Sequence, residues 1–231
     1  MRGQAHIPFA RFRRDERGTT LVEFAIAISL FLLIFFAVLD FGRLAYNWVM
    51  AEKAMQTAAR IAAVRPPVCT GVPTLNVRAD PFDDTFPAGT LCRAQSGLCE
   101  PVVPAPCTLA EASSGSPAAV ATASEIWTAL RPLLPDNATT ENVLIRYEFD
   151  EQLGFLGGPY TPLITAELVG ASGQNGSFGD FRFTFVTPLS ALAAAAGASD
   201  TTGVPGEGAS IPFPAISSTI PAEDLNFGGR G

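Results

Sequence analysis

The most continuous hydrophobic pattern in the chain lies near its N-terminus. Residues 21–39 are apolar except for Glu23 and Ser29. A helix of these residues rises about 29 Å, close to the thickness of a hydrocarbon core of about 30 Å. A cleaved secretory signal has a shorter apolar region that ends in a small-residue A-x-A site, whereas this segment ends at Asp40-Phe41-Gly42. The pattern therefore predicts a retained single-pass transmembrane helix.

The helical pattern continues beyond the apolar segment. No proline occurs between Pro8 and Pro66, and helix-forming residues dominate up to residue 64. Seven residues recur at alternating spacings of three and four, which is a heptad-like seam: Phe41, Leu44, Trp48, Ala51, Met55, Ala58 and Ala62. We expect one transmembrane and spine helix over 19–64. The distal half of the seam is expected to pack on the chain's own sheet, and partner helices are the alternative.

Later in the chain the period of the apolar residues changes to two. Alternation occurs over 143–149, 163–169 and 181–186. We expect these runs to form three adjacent antiparallel strands within 143–190, with one face covered by the long helix. The expected fold class is α+β, a pilin-like arrangement of a long N-terminal helix packed on a small antiparallel sheet with disulfide-stapled loops.

The remaining segments are rich in the chain's 19 prolines and 21 glycines. Residues 1–18 form a basic leader, 65–142 a Cys-containing loop region with one short helix within 118–134, and 191–231 a Pro/Gly-rich C-terminal segment. The prolines of that last segment exclude a regular helix but allow an edge strand near 215–219.

Charge is distributed unevenly along the chain and indicates its topology. The net charge is -7, yet residues 1–18 carry five arginines against Asp15 and Glu16. Basic residues before the apolar segment and Asp40 after it predict a cytoplasmic N-terminus and an exported C-terminal domain. An acidic chain without a concentrated basic face is not expected to bind nucleic acid.

All four cysteines lie within 39 residues on the predicted exported side. An even number of cysteines in an oxidising compartment predicts two disulfides, for which three connectivities are possible. We favour a small loop closed by Cys92–Cys99 inside a larger loop closed by Cys69–Cys107. A zinc site is the alternative, but the sequence has no C-x2-C pair and its one histidine, His6, lies in the leader.

A carboxylate inside the apolar segment requires an explanation. Glu23 either lies near enough to the cytoplasmic interface to stay hydrated or has a function. The sequence GTTLVEF of residues 18–24 resembles the type IV prepilin cleavage site, where a membrane peptidase cuts after the glycine. The resemblance makes Thr19 the first residue of the mature chain and Glu23 its fifth. Glu23 and the Phe24 that follows it are similar to the Glu-Tyr/Phe pair of tight-adherence pilins.

The resemblance continues past the apolar segment. Together with DFGRL at 40–44 and AARIAA at 58–63, the opening of the chain is similar to that of TadE-like proteins, minor pilins of the tight-adherence (Flp pilus) machinery. The resemblance covers about residues 15–65. It implies a pseudopilin of the bacterial inner membrane, cleaved after Gly18, that takes part in assembling a pilus or a related secretion apparatus by helix packing.

The implied partners are membrane lipid, a prepilin peptidase, other pilin or pseudopilin subunits and the assembly platform. No cofactor is expected. We do not expect an enzyme, because the predicted exported part has no histidine and the adjacent acidic residues Asp83-Asp84 are typical of a solvated turn. The alternative function is a permanently anchored accessory or ligand-binding protein that is neither processed nor part of a filament.

Overall fold

The computed structural model describes residues 16–80, 85–112, 115–170, 179–188, 210–223 and 225, with side chains from Gly18 onward. The predicted α+β class is confirmed. The helices and strands of the described residues follow one another as α1 (Glu16–Val64), β1 (Ala105–Thr108), α2 (Leu109–Ala112), α3 (Pro117–Leu130), β2 (Val143–Glu148), β3 (Leu163–Leu168), β4 (Arg182–Thr184), β5 (Ser210–Pro212) and β6 (Ile216–Pro221).

The long helix α1 has 49 residues, which corresponds to about 73 Å at 1.5 Å per residue. It ends at Val64 because Pro66 disfavours helical backbone angles in the residue before it, Arg65. The helix begins upstream of the predicted start at residue 19, at Glu16. Gly18 therefore lies in the first turn of α1.

The chain divides into two compact units, Met1–Arg43 with Thr184–Ser210, and Leu44–Phe183 with Ile211–Gly231. The first, which we call the membrane unit, contains the apolar part of α1. The second, which we call the exported unit after the topology that the sequence predicts, contains the rest of α1, the four-stranded sheet and all four cysteines.

The main sheet is antiparallel and has the strand order β1-β2-β3-β6. Cys107, Ile145, Ala166 and Ser218 stand opposite one another in register and form one row across the four strands. Side chains alternate across a strand, so this row shares its face with six buried residues of β2 and β3, whereas buried Leu144 faces the other side. These are Val143, Ile145, Tyr147, Ile164, Ala166 and Leu168.

The sheet differs from the prediction in its membership. Strands at 143–148 and 163–168 were expected, but β4 at 182–184 does not join them and pairs with β5 in a separate two-stranded sheet. Instead, β6 pairs with β3, and it corresponds to the edge strand that was predicted near 215–219. The other edge is β1, within the region predicted as loop, where Pro106 is tolerated because an edge strand can leave one backbone donor unused.

The distal half of the predicted seam is buried inside the exported unit. One stripe of α1, spaced by three and four residues, is at most 2% exposed: Ala51, Ala54, Met55, Ala58, Ala59, Ala62 and Ala63. The segment just after the helix is tied to the sheet, because the Val68 N–H donates to the Tyr147 hydroxyl at 3.1 Å. Burial raises the pKa of Tyr147 to about 12, although that hydrogen bond opposes the change.

The end of α1 is also connected to α3 by an ion pair on the surface. The Arg65 guanidinium donates twice to the Glu125 carboxylate, from Nε to Oε2 and from Nη2 to Oε1, each at 2.9 Å. This bidentate hydrogen bonding raises the pKa of Arg65 and lowers the pKa of Glu125. Both side chains remain almost half exposed, so the pair contributes little to stability.

Both disulfides have the favoured connectivity. Cys69–Cys107 joins the segment after α1 to the edge strand β1, and Cys92–Cys99 closes a loop with a sequence separation of 7. The smaller loop has its own apolar cluster, in which Leu98 and Leu156 are buried with the disulfide and Phe149 packs against them. The described part of the 65–142 region is thus an ordered, stapled segment that contains β1, α2 and α3.

Candidate functional site: the processing and membrane segment

The apolar part of α1 is uncovered in the isolated chain. Among the residues that the structure describes, one helix, Gly18–Val64, is long and apolar enough to cross a membrane. Its large side chains point into solvent, with Leu21 70%, Phe24 67% and Ile34 62% exposed. Exposed apolar surface of this extent requires lipid or other apolar helices around it. The structure is consistent with single-pass membrane anchoring.

The predicted scissile bond lies at the start of this helix. Gly18 is the third described residue of α1. A Cβ atom added at Gly18 would have no neighbour within 4 Å among the described residues, outside the backbone of its own helix. Packing among the described residues therefore does not require a glycine here.

Glu23 lies four residues after Thr19, so the two residues share one side of the helix. The Glu23 side chain is exposed. It forms no hydrogen bond or ion pair with any residue in the described ranges, and Phe24 beside it is also uncovered. A carboxylate with apolar neighbours and no partner is costly in a bilayer. The structure thus places Gly18, Thr19, Glu23 and Phe24 together within two turns.

The opposite end of the apolar segment also carries a carboxylate, but this one is buried. Asp40 is 0% exposed. One carboxylate oxygen accepts from the backbone N–H of Val186 at 3.4 Å and the other accepts from the Thr187 hydroxyl. The Arg43 guanidinium approaches to 3.6 Å, and the Phe41 and Phe185 rings meet edge to face with centroids 6.2 Å apart.

We call this arrangement of Asp40, Thr187 and their neighbours the Asp40 clasp. All of its residues belong to the membrane unit. Sequence reasoning used Asp40 as the end of the apolar segment, as a topology marker and as part of the DFGRL motif, and it missed the burial of this residue because the partner residues lie almost 150 positions further along the chain. A buried carboxylate that accepts two hydrogen bonds fixes the point where residues 184–188 meet the helix.

The predicted site residues therefore fall into two separate groups. The processing residues lie on α1 in the membrane unit, and the four cysteines lie in the exported unit. In the described ranges, no three His, Cys, Asp or Glu side chains form a possible metal site. The Asp83-Asp84 pair and His6 are outside the described residues.

Residues 18–60 match the family model of TadE-like proteins. This segment of the chain is TadE-like. The match begins at Gly18, the residue before the expected cleavage, and covers Glu23, Asp40 and most of the buried stripe of α1. It confirms the resemblance that was expected over about 15–65 and indicates involvement in the tight-adherence pilus, with other pilin subunits as partners.

The TadE-like match stops before the exported unit is complete. Neither curated proteins nor solved structures include one that matches the chain. The comparison with known proteins therefore applies to the TadE-like helix. The sheet, the disulfides and the cavities of the exported unit must be interpreted from their own geometry.

Proposed function

We propose that this chain is a minor pilin, or pseudopilin, of a tight-adherence-type pilus or related secretion apparatus, and that a prepilin peptidase cleaves it after Gly18. The observation that carries the proposal is the position of the GTTLVEF sequence. It opens both the TadE-like match and the uncovered apolar helix, so the cleavage signal, the family segment and the membrane anchor begin at one place.

Cleavage after Gly18 is supported by the residue type before the scissile bond. A peptidase needs an extended backbone there, so the helical residues Gly18 and Thr19 must unwind locally. The absence of a Cβ at Gly18 removes a side-chain obstacle in the protease cleft.

Cleavage would also give Glu23 a partner. The new α-amino group at Thr19 carries a positive charge near neutral pH. In a bundle of apolar helices, this amino group can pair with the Glu23 carboxylate of a neighbouring subunit, which offsets the cost of burying both charges. The exposed faces of Leu21, Phe24 and Ile34 then supply the apolar contacts between helices. We propose that the chain acts by helix packing and not as an enzyme.

Two substitutions test the proposal in the native host. Gly18→Val should leave the chain uncleaved, seen as a precursor of higher mass in membrane extracts. Glu23→Leu should allow cleavage but reduce recovery of partner pilins with the protein and reduce piliation, because the partner of the Thr19 amino group is lost.

Matched controls exist on the same helix. Gly42→Val alters a second helical glycine that has nothing within 4 Å of its missing Cβ, and Glu52→Leu alters an exposed glutamate of the exported unit. Both controls should be processed and assembled like the unaltered chain. Normal cleavage of Gly18→Val would contradict cleavage directly after Gly18, and normal piliation with Glu23→Leu would favour a permanently anchored accessory protein instead.

A further inference from the structure

The exported unit has a cavity of about 440 Å³ at the C-terminal end of α3. This volume lies within the range of small-molecule sites, roughly 300–1,000 Å³. Buried Leu134 and Pro135 contribute its apolar lining. Its lining also includes four residues with polar or aromatic side chains, Trp127, Arg131, Asp136 and Thr140, and we call the cavity with these residues the α3 groove.

Local hydrogen bonds hold the α3 groove in shape. The Arg131 N–H donates to the Trp127 carbonyl at 2.9 Å, and the Ala138 N–H donates to the Pro135 carbonyl at 2.9 Å. Asn142 fixes the far end, because its Oδ1 accepts from the Thr139 N–H at 2.8 Å and its Nδ2 donates to the Val169 carbonyl at 3.0 Å. A ligand would therefore enter a cavity that is already formed.

The charged groups of the groove are not used by the fold. Arg131 and Asp136 are exposed, and neither side chain forms a hydrogen bond or ion pair with any residue in the described part of the chain. The guanidinium offers up to five donors, the carboxylate offers acceptors only, and the Thr140 hydroxyl can do either. Trp127 is partly exposed and presents an apolar ring beside them.

We propose that the α3 groove binds a neutral saccharide. The groove has one positive and one negative side chain, so its net charge is zero. An anion such as phosphate would be repelled by Asp136, and a cation would be repelled by Arg131. A purely apolar ligand would remove both charges from water without a partner. Vicinal sugar hydroxyls can accept from Arg131 and donate to Asp136, while the C–H face of the ring lies on the indole.

The proposal is independent of processing after Gly18 and is tested by fluorescence. The chain has two tryptophans, so Trp48→Phe makes Trp127 its one tryptophan reporter. The full chain, in a polyoxyethylene detergent without a sugar headgroup, is titrated with cellobiose, lactose and N,N′-diacetylchitobiose. We expect a saturable change in Trp127 emission with at least one of them. In that background, Arg131→Ala and Asp136→Ala should each weaken binding about tenfold or more, as expected for a lost hydrogen bond to a charged group.

Two variants outside the groove serve as controls. Glu141→Ala removes a neighbouring exposed carboxylate, and Arg93→Ala removes an exposed guanidinium of the small disulfide loop. Both should bind like the parent, and all variants should show the same thermal unfolding because the altered groups are exposed. The proposal is overturned if none of the three sugars gives saturation, if the groove variants bind as well as the controls, or if inorganic phosphate gives an equal response.

Discussion

At the scale of single residues, two carboxylates of α1 differ in how the free-energy cost of a charge near an apolar helix is offset. Asp40 is buried and accepts hydrogen bonds from Val186 and Thr187, so its own fold satisfies it. Glu23 is exposed and has no partner among the residues that the structure describes. Because a carboxylate in an apolar helix must be compensated, Glu23 requires either water at the membrane interface or a partner outside the monomer.

The Asp40 clasp can be tested by removing its acceptors. Asp40→Ala leaves the Thr187 hydroxyl and the Val186 N–H without their acceptor, which should cost about 1–3 kcal/mol. Hydrogen exchange of the Val186 amide, measured on the full chain in micelles, should become markedly faster. Asp40→Asn keeps one acceptor oxygen and should be intermediate, and Glu52→Ala should change nothing. Unaltered exchange in Asp40→Ala would show that the clasp does not hold residues 184–188.

Burial of Tyr147 predicts a loss of stability in alkaline solution. Its pKa is about 12 in the folded chain and about 10 when unfolded, so the unfolded state loses its proton first. Stability from this group is therefore complete below pH ~10 and declines by up to about 3 kcal/mol as the pH rises toward 12.

Urea unfolding of the full chain at several pH values measures this decline. Tyr147→Phe should show a shallower decline, with a remainder from Tyr160, whose pKa burial also raises to about 12. Tyr46→Phe, at an exposed position, should leave the decline unchanged. An equally steep decline in Tyr147→Phe would mean that this hydroxyl is not the group that titrates.

At the scale of elements, one seam on α1 serves two environments. Phe41 and Trp48 are 57% and 42% exposed, whereas Ala51, Met55 and Ala58 are fully buried. The sequence predicts the seam because helical periodicity depends only on local spacing. The change from exposed to buried at Ala51 depends on how much of the helix the rest of the exported unit covers.

The buried half of the seam predicts a size limit. Ala58→Leu forces extra carbon atoms into a filled core and should destabilise the exported unit by about 1–3 kcal/mol. Ala45→Leu makes the same change at an exposed position of the same helix and should have little effect on stability. Urea unfolding of the full chain compares the two. Equal midpoints would mean that the stripe is not tightly packed.

The strands show where sequence reasoning succeeds and where it fails. The runs at 143–149 and 163–169 were predicted correctly as strands, because the alternation of apolar and polar residues is a local pattern. Their neighbours were not, because β1 and β6 come from the cysteine region and the C-terminal segment, and pairing over such distances leaves no local pattern.

The candidate site was more predictable than the sheet. Gly18, Thr19, Glu23 and Phe24 are nearly consecutive, so their grouping on one helix follows from the chain itself. The two disulfides also have the favoured connectivity. The Asp40 clasp and the α3 groove were not predicted, because each requires knowledge of which distant or turn residues the fold brings together.

At the scale of the whole molecule, the chain combines a TadE-like helix with an exposed apolar part and an exported unit that buries its own apolar core. The exported unit has a four-stranded sheet, a buried helical stripe and two disulfides. The apolar part of the helix has no such cover and must find lipid or other helices. This division of roles is what a subunit that assembles through its N-terminal helix requires.

The central claim is cleavage after Gly18, and it is tested most directly on protein purified from its native membrane. N-terminal sequencing and intact mass should give a mature chain that begins at Thr19, with a free α-amino group available to Glu23. A chain that retains residues 1–18 would contradict the account and identify a permanently anchored protein.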